Sequence, residues 1–198
     1  MTEPAALILA STSRYRQELL SRLRLPFQVE APGVDESARR GELPAAIALR
    51  LAAEKAHAVA RRHPHAVVIG SDQVATLDGT AAIGKPGGHE GAFAQLRAAS
   101  GRTMRFHTAL CVTRHSDGFD QRTSVATSVR FRHLDDAEID RYLRLEQPWD
   151  CAGAAKSEAL GIVLLEAIEG DDPTALVGLP LIALARMLRD AGLPPLRA

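Results

Sequence analysis

Asp72 and Glu36 are the carboxylates best placed to do chemistry in this sequence. Asp72 closely follows the apolar run 66–70, where α/β folds present ligands, and Glu36 follows the Pro32-Gly33 break. Carboxylates in such positions can hold a divalent cation and take a proton from an attacking water, the two tasks that cleavage of a phosphoanhydride demands. The same reaction needs donors for phosphate oxygens. Ser11, Thr12 and Ser13 offer hydroxyls and free backbone N–H groups at the positive end of a helix, and Arg16 adds a forked donor set close by. Lys55 lies in an otherwise apolar or Ala-rich helical stretch, and Lys85 is pinned between Gly84 and Pro86. Each of these residues alone has an ordinary reading as a cap, a turn or a solvated charge.

Other chemistries find less support. Neither a P-loop nor a dinucleotide-binding glycine fingerprint occurs, and Ser71 lacks the Gly-x-Ser-x-Gly setting of a hydrolase nucleophile, so its expected job is local hydrogen bonding. The seven histidines fall at no recognised ligand spacing: His63 and His65 flank Pro64 and the rest are scattered, so no zinc site is assigned. Cys111 and Cys151 stand in apolar surroundings and read as buried thiols in a reducing compartment. Lys plus Arg and Asp plus Glu both total 24, which excludes the basic excess of a dedicated nucleic-acid binder and leaves anion binding to local charge. The apolar run near the start falls short of the roughly 20 residues that span a bilayer and follows no basic segment. Neither an anchor nor a signal peptide is expected, and the expected location is cytoplasmic.

The elements that must position these groups follow from hydrophobic periodicity. Residues 5–10 read as a buried strand running into a helix whose Tyr15, Leu19, Leu20 and Leu23 share a face. A second strand is expected at 27–31, after Pro26. Pro44 opens a helix reaching about residue 62, with Ile47, Leu51 and Val59 at helical spacing. Residues 66–70 read as a central strand with Ser71, Asp72 and Gln73 at its end, and a further strand begins at Val74. Next come a helix at 89–100, a strand through 104–112, a turn at Ser116-Asp117-Gly118 and strands across 119–133. Asp135 and Glu138 resemble a capping box; a strand at 161–168 and a helix at 179–191 close the order. The 198 residues carry 46% hydrophobic residues and no repeat or linker, which predicts one α/β domain, a mixed sheet with helices around it and a cleft between two lobes.

In order along the chain, LILASTSRYR (7–16), VDE (34–36), EKA (54–56), GSDQV (70–74), GKP (84–86), CAGAAKSEALGI (151–162) and DPTALVGLPL (172–181) resemble the Maf family. The resemblance spans nearly the whole chain. It implies an elongated α/β fold related to that of the inosine triphosphate pyrophosphatases, with a central nucleotide cleft over 1–198. It also implies nucleoside triphosphate pyrophosphatase activity with Mg²⁺ or Mn²⁺, and a homodimer. By motif, Asp72 is implied as catalytic base and metal ligand, Glu36 as metal ligand, and Ser11, Arg16, Lys55 and Lys85 as phosphate-side contacts. Three positions bear on the subgroup: Tyr15 where the 7-methyl-GTP type carries an aromatic, Gln73 where the dTTP/UTP type has Thr, and Glu158 where that type has Gln. An aromatic face and a carboxylate suit the cationic N7-methylguanine, so the expected substrate is 7-methyl-GTP and the expected cellular use is clearance of modified nucleotides. The alternatives are a dTTP/UTP pyrophosphatase and a non-catalytic division regulator. One departure stands out: the motif commonly pairs two arginines where this chain has Arg16-Gln17, and Arg14 substitutes only if it turns toward the phosphates.

Overall fold

The computed structural model describes residues 6–196. Ala5, where the first expected strand begins, lies outside the described residues, as do the other ends of the expected 1–198 domain and most of the apolar start. One six-stranded sheet runs through the molecule in the order β2-β1-β3-β4-β5-β6. Its strands are β1 (Leu7–Leu9), β2 (Gln28–Val29), β3 (Val67–Thr76), β4 (Thr103–Arg114), β5 (Phe119–Phe131) and β6 (Leu165–Gly170). The helices are α1 (Arg14–Ser21), α2 (Pro44–Ala60), α3 (His89–Ala99), α4 (Asp136–Glu146) and α5 (Leu181–Asp190). β1 pairs in parallel with β2 and β3, and every later pairing is antiparallel. Parallel neighbours need crossovers, which the segments containing α1 and α2 supply, whereas Gly118 turns β4 into β5 with φ 72°. The fold class is the mixed sheet with flanking helices expected from the sequence.

Strand alternation divides the core. Ile8, Val68 and Cys111 face α2, where Ile47, Leu51, Ala52 and Val59 cover them. Leu7, Leu9, Val67, Ile69 and Leu110 face the other way, against Leu19 and Leu20 of α1 and Leu184 and Leu188 of α5. A third cluster, with Leu96, Met104, Phe106, Phe131, Ile139 and Leu143, packs α3 and α4 onto the far part of the sheet. Gly70 brings α2 close to β3: a Cβ there would sit 2.1 Å from the Ala52 carbonyl oxygen and 2.7 Å from the Ala56 nitrogen. That close approach sets the depth at which α2 carries its polar residues.

Several sequence expectations change, and the strands expected across 119–133 are the single strand β5. The strands expected at 66–70 and from Val74 are one strand, so Asp72 lies within β3 rather than at its end. The polar residues stay in line because each has a partner on its own face: Asp72 meets Lys55, and Ser71 and Gln73 meet the 175–178 segment. The strand expected at 161–168 begins only at Leu165, after a 3-10 turn over Leu160–Leu164. That turn folds Gly161 onto the backbone of Lys156, where a Cβ would meet the Lys156 nitrogen at 2.6 Å. The expected capping box is half made: Asp135 Oδ1 accepts from Glu138 N at 2.8 Å, but the Glu138 carboxylate pairs with Arg132. No helix among the described residues is long and apolar enough to cross a membrane.

Candidate active site

All nine residues singled out from the sequence, Ser11, Tyr15, Arg16, Glu36, Lys55, Asp72, Gln73, Lys85 and Glu158, line one cleft of about 780 Å³. Its centre is a buried cation between two carboxylates. Lys55 Nζ reaches Asp72 Oδ1 at 2.7 Å and Glu36 Oε1 at 3.0 Å. The Lys55 and Asp72 side chains are 5% and 10% exposed, whereas Glu36 is 58% exposed, so one carboxylate is built into the floor and the other hangs from a loop. α2 delivers Lys55 and β3 delivers Asp72, which is why the close packing at Gly70 matters to the site.

Lys55 takes one oxygen from each carboxylate, and neither Glu36 Oε2 nor Asp72 Oδ2 has a hydrogen-bond partner among the described residues. These hard oxygen donors at a solvent-facing cleft fit Mg²⁺ or Mn²⁺ and lack the sulfur or imidazole ligands that favour zinc.

The phosphate-side expectation converges on the turn before α1. Ser13 caps that helix, its hydroxyl accepting from Arg16 N at 3.5 Å, and the Ser11 hydroxyl accepts from Ser13 N at 3.2 Å. Arg16 Nε donates to the Gly178 carbonyl at 3.0 Å and Nη1 to Ser11 Oγ at 3.4 Å. Burial pulls the Arg16 guanidinium below its usual pKa, while Asp72 and Glu36 push the other way. Lys85 is exposed and enters no ion pair among the described residues, so its charge is free for a ligand. Its loop is nevertheless held: Ile83 N donates to Ala75 O at 2.7 Å, Gln95 Nε2 to Gly84 O at 3.0 Å, and Gly87 N to Trp149 O at 3.2 Å.

Arg14 does not replace the missing second arginine of the motif. Its Nη2 donates to Tyr15 Oη at 3.0 Å, and its guanidinium carbon lies 4.9 Å from the Tyr15 ring centroid. Partial burial raises the Tyr15 pKa, and the Arg14 bond opposes the rise. Gln73 has less freedom than expected. Its amide nitrogen lies 2.8 Å from Thr108 Oγ1, 2.9 Å from Leu176 O and 3.1 Å from Ala175 O, which leaves only Oε1 for a ligand. Glu158 is exposed at the cleft wall.

Gly178 carried no individual expectation, and the expectations for Ser71 and Cys151 change. The Gly178 carbonyl accepts from both Arg16 Nε and Ser71 Oγ, the latter at 3.0 Å across 107 residues, so Ser71 makes a long-range rather than a local bond. Its segment is fixed by Asp172, which accepts from Thr174 N at 3.0 Å and from Ile182 N at 2.7 Å. Cys151 is partly buried rather than fully so, and it lines the cleft beside Asp150 and Tyr15. The DPTALVGLPL and CAGAAKSEALGI strings contain Gly178 and Cys151, but a backbone carbonyl leaves no trace in residue type.

A mixed α/β sheet whose cleft sets lysine and arginine donors around two convergent carboxylates defines a protein able to hold a polyanion beside a divalent cation. The chain belongs to the Maf family: the family described as Maf-like protein matches residues 6–191. It is 62% identical over 194 residues to the 7-methyl-GTP pyrophosphatase of Burkholderia pseudomallei, covering 96% of this chain and 90% of the relative. The 7-methyl-GTP pyrophosphatase of Burkholderia thailandensis is 64% identical over 191 residues, covering 95% and 88%. That of Cupriavidus metallidurans is 60% identical over 193 residues, covering 98% and 96%. Among solved structures, the Ham1 protein of Staphylococcus aureus is similar with a TM-score of 0.46 and 16% identity, covering 64% of this chain and 71% of that one.

Proposed function

We propose that this protein is a metal-dependent nucleoside triphosphate pyrophosphatase that hydrolyses 7-methyl-GTP to 7-methyl-GMP and pyrophosphate, clearing a modified nucleotide. The observation that carries the reading is the Glu36–Lys55–Asp72 cluster on the floor of a cleft ringed by further cations, in a chain whose 60–64% identical relatives bear that activity in their names. In this reading residues 1–198 form one domain with two lobes about the cleft, acting as a homodimer in the cytoplasm.

Asp72 takes a proton from water as the water oxygen bonds to the α-phosphorus; the bond from that phosphorus to the bridging oxygen breaks, and pyrophosphate leaves with the electron pair. Glu36 and Asp72 would hold Mg²⁺ or Mn²⁺, which supplies charge neutralisation on the phosphates and an acidic site for water. Ser11, Arg16 and Lys85 bind phosphate oxygens, Arg16 from a position already fixed by Gly178 and Ser11. Lys55 holds Asp72 in one orientation and, in this reading, meets a phosphate oxygen when the cleft is filled. The base lies toward Tyr15 and Glu158, an aromatic face and an anionic acceptor for a cationic purine.

Pyrophosphate release by the purified protein with Mg²⁺ or Mn²⁺, compared among 7-methyl-GTP, GTP, dTTP and UTP, tests the reading. Preference for 7-methyl-GTP supports it. A preference for dTTP or UTP moves the protein to the other substrate class, and no cleavage by a protein that still binds nucleotide favours the non-catalytic regulator.

A further inference from the structure

The face of the sheet that carries α2 holds a second polar cluster, which the proposed chemistry does not use. His57 on α2, Cys111 on β4 and Asp120 on β5 each bring one ligand atom into a group whose members lie within 4.8 Å of one another. The fold makes this group from distant parts of the chain. In the β4–β5 register Thr113 faces Asp120 and Cys111 faces Arg122, so Cys111, Asp120 and Arg122 lie on the same side of the sheet, the side against which α2 packs. Cys111 is fully buried, whereas the His57 and Asp120 side chains keep 32% and 29% of their exposure, which gives the cluster a sealed floor and an open mouth.

Without an ion, the cluster is an ion network. His57 Nε2 pairs with Asp120 Oδ2, and Arg122 forks onto the same carboxylate, Nε to Oδ1 at 2.7 Å and Nη2 to Oδ2 at 3.1 Å. We propose that this cluster is a binding site for a zinc-class transition-metal ion, with His57, Cys111 and Asp120 as protein ligands and water completing a tetrahedral set. One nitrogen, one sulfur and one oxygen donor match the ligands that zinc accepts, and three protein ligands with an accessible fourth position is a common arrangement for it. On binding, the Cys111 thiol proton leaves to solvent, His57 Nε2 gives up the proton it shares with Asp120 so that the neutral ring, protonated on Nδ1, binds through Nε2, and the His57–Asp120 hydrogen bond gives way to two metal bonds. Thiolate and carboxylate then balance the dication, and Arg122 stays on the carboxylate as an outer donor that fixes its direction. The sulfur ligand sets this site apart from the all-oxygen pair in the cleft: the cleft suits Mg²⁺ or Mn²⁺, and this cluster rejects them.

The site can be tested without nucleotide. The full chain, stripped with a chelator, is titrated with Co²⁺ as a spectroscopic stand-in for zinc. The expected result is a sulfur-to-cobalt charge-transfer band with tetrahedral d–d bands, saturating at a single ion, bleached by Zn²⁺ and untouched by excess Mg²⁺. The charge-transfer band should vanish in Cys111→Ser, lose most of its affinity in His57→Gln, and persist in Cys151→Ser, which removes the other thiol. Zn²⁺ at ~100-fold over Kd should raise Tm by roughly 5–10 °C in the wild type, and far less in His57→Gln. If Cys111→Ser does not fold, the half-exposed His57→Gln variant decides. Absence of the band in folded wild type overturns the proposal and leaves an ion network only. A band that survives in His57→Gln with unchanged affinity, or that disappears with Cys151 instead, overturns it equally.

Discussion

The Lys55 ammonium and the Asp72 carboxylate form a buried pair at 2.7 Å, joining the middle of α2 to the middle of β3. Removing either charge has a different expected outcome. Asp72→Asn deletes the proposed base at nearly constant volume, and Lys55 retains Glu36 as a partner; turnover should fall by about 10²–10⁴-fold with little loss of fold. Lys55→Met strands a buried carboxylate and should lower stability by about 3–5 kcal/mol. The double variant Lys55→Met/Asp72→Asn should recover much of that loss, since no uncompensated charge remains. Denaturant unfolding of all three with steady-state pyrophosphate release checks the set; equal stability of both single variants would show that the pair does not behave as a buried one.

Arg16 acts at two places at once, and a substitution can separate them. Its Nε and Nη1 tie the turn before α1 to Gly178, while the face left open in the cleft is available to phosphate. Arg16→Lys keeps one positive charge but loses the fork. The expected effect is a KM for 7-methyl-GTP raised by about tenfold or more, equivalent to about 1.4 kcal/mol of binding, with kcat changed less. A fall in kcat with KM unchanged would mean that Arg16 serves the transition state alone.

Much of this site was legible because its residues stand out one at a time. A lysine between glycine and proline, a serine-rich turn after an apolar run and an acid beside a strand are visible in residue type, and all nine chosen positions meet in one cleft. Partnerships across long stretches of chain were not legible. Ser71-Asp72-Gln73 read as the end of a strand because three polar residues in the middle of a sheet are costly without partners, and the partners lie at Lys55 and at 175–178. Whether Arg14 stands in for the missing arginine of the motif was open in the sequence, because nothing in its neighbours shows that it folds back onto Tyr15. The His57, Cys111 and Asp120 cluster escaped a search by spacing because only the β4–β5 register and the packing of α2 bring it together.

The loop that presents Lys85 can be disturbed without touching Lys85. Gly91, in the first turn of α3, lies against the backbone of Pro86: a Cβ there would come within 2.3 Å of the Pro86 carbonyl oxygen. Backbone cannot yield as a flexible side chain can, so Gly91→Ala must shift the loop or the helix. The expected outcome is a raised KM for triphosphate with a smaller effect on the binding of 7-methyl-GMP, which lacks the outer phosphates. Similar losses for both ligands, measured by calorimetry, would place the disturbance outside the phosphate side.

The thiols offer a test of burial. Desolvation pushes Cys151 up to about 12, and Asp150 adds to the rise; Cys111 is likewise pushed up to about 12 by burial. At pH 8 a group with that pKa is thiolate in only about one molecule in ten thousand, whereas an ordinary thiol near 8.5 is ionised to about a quarter. Iodoacetamide should therefore label the native metal-free chain slowly at both positions and rapidly after denaturation. Rapid labelling of Cys151 alone in the native state would mean that its side of the cleft opens in solution.

Substrate choice turns on what a base must displace. The Arg14 guanidinium rests over the Tyr15 ring, so the aromatic face expected to receive the base is partly covered by a cation that belongs to the protein. A neutral guanine that takes this place exchanges a cation–π contact for ordinary stacking, whereas a cationic 7-methylguanine replaces like with like. In the proposed reading Glu158, on the same cleft, carries the remaining discrimination, since its carboxylate accepts hydrogen bonds and balances a positive base charge. Glu158→Gln should thus narrow the ratio of kcat/KM for 7-methyl-GTP over GTP by about tenfold, through loss of the methylated substrate rather than gain of the other. Arg14→Gln, which uncovers the ring, should narrow the ratio in the opposite way, by improving GTP. Parallel kinetics on both substrates separate the two effects; unchanged ratios in both variants would place recognition of the base away from Tyr15 and Glu158.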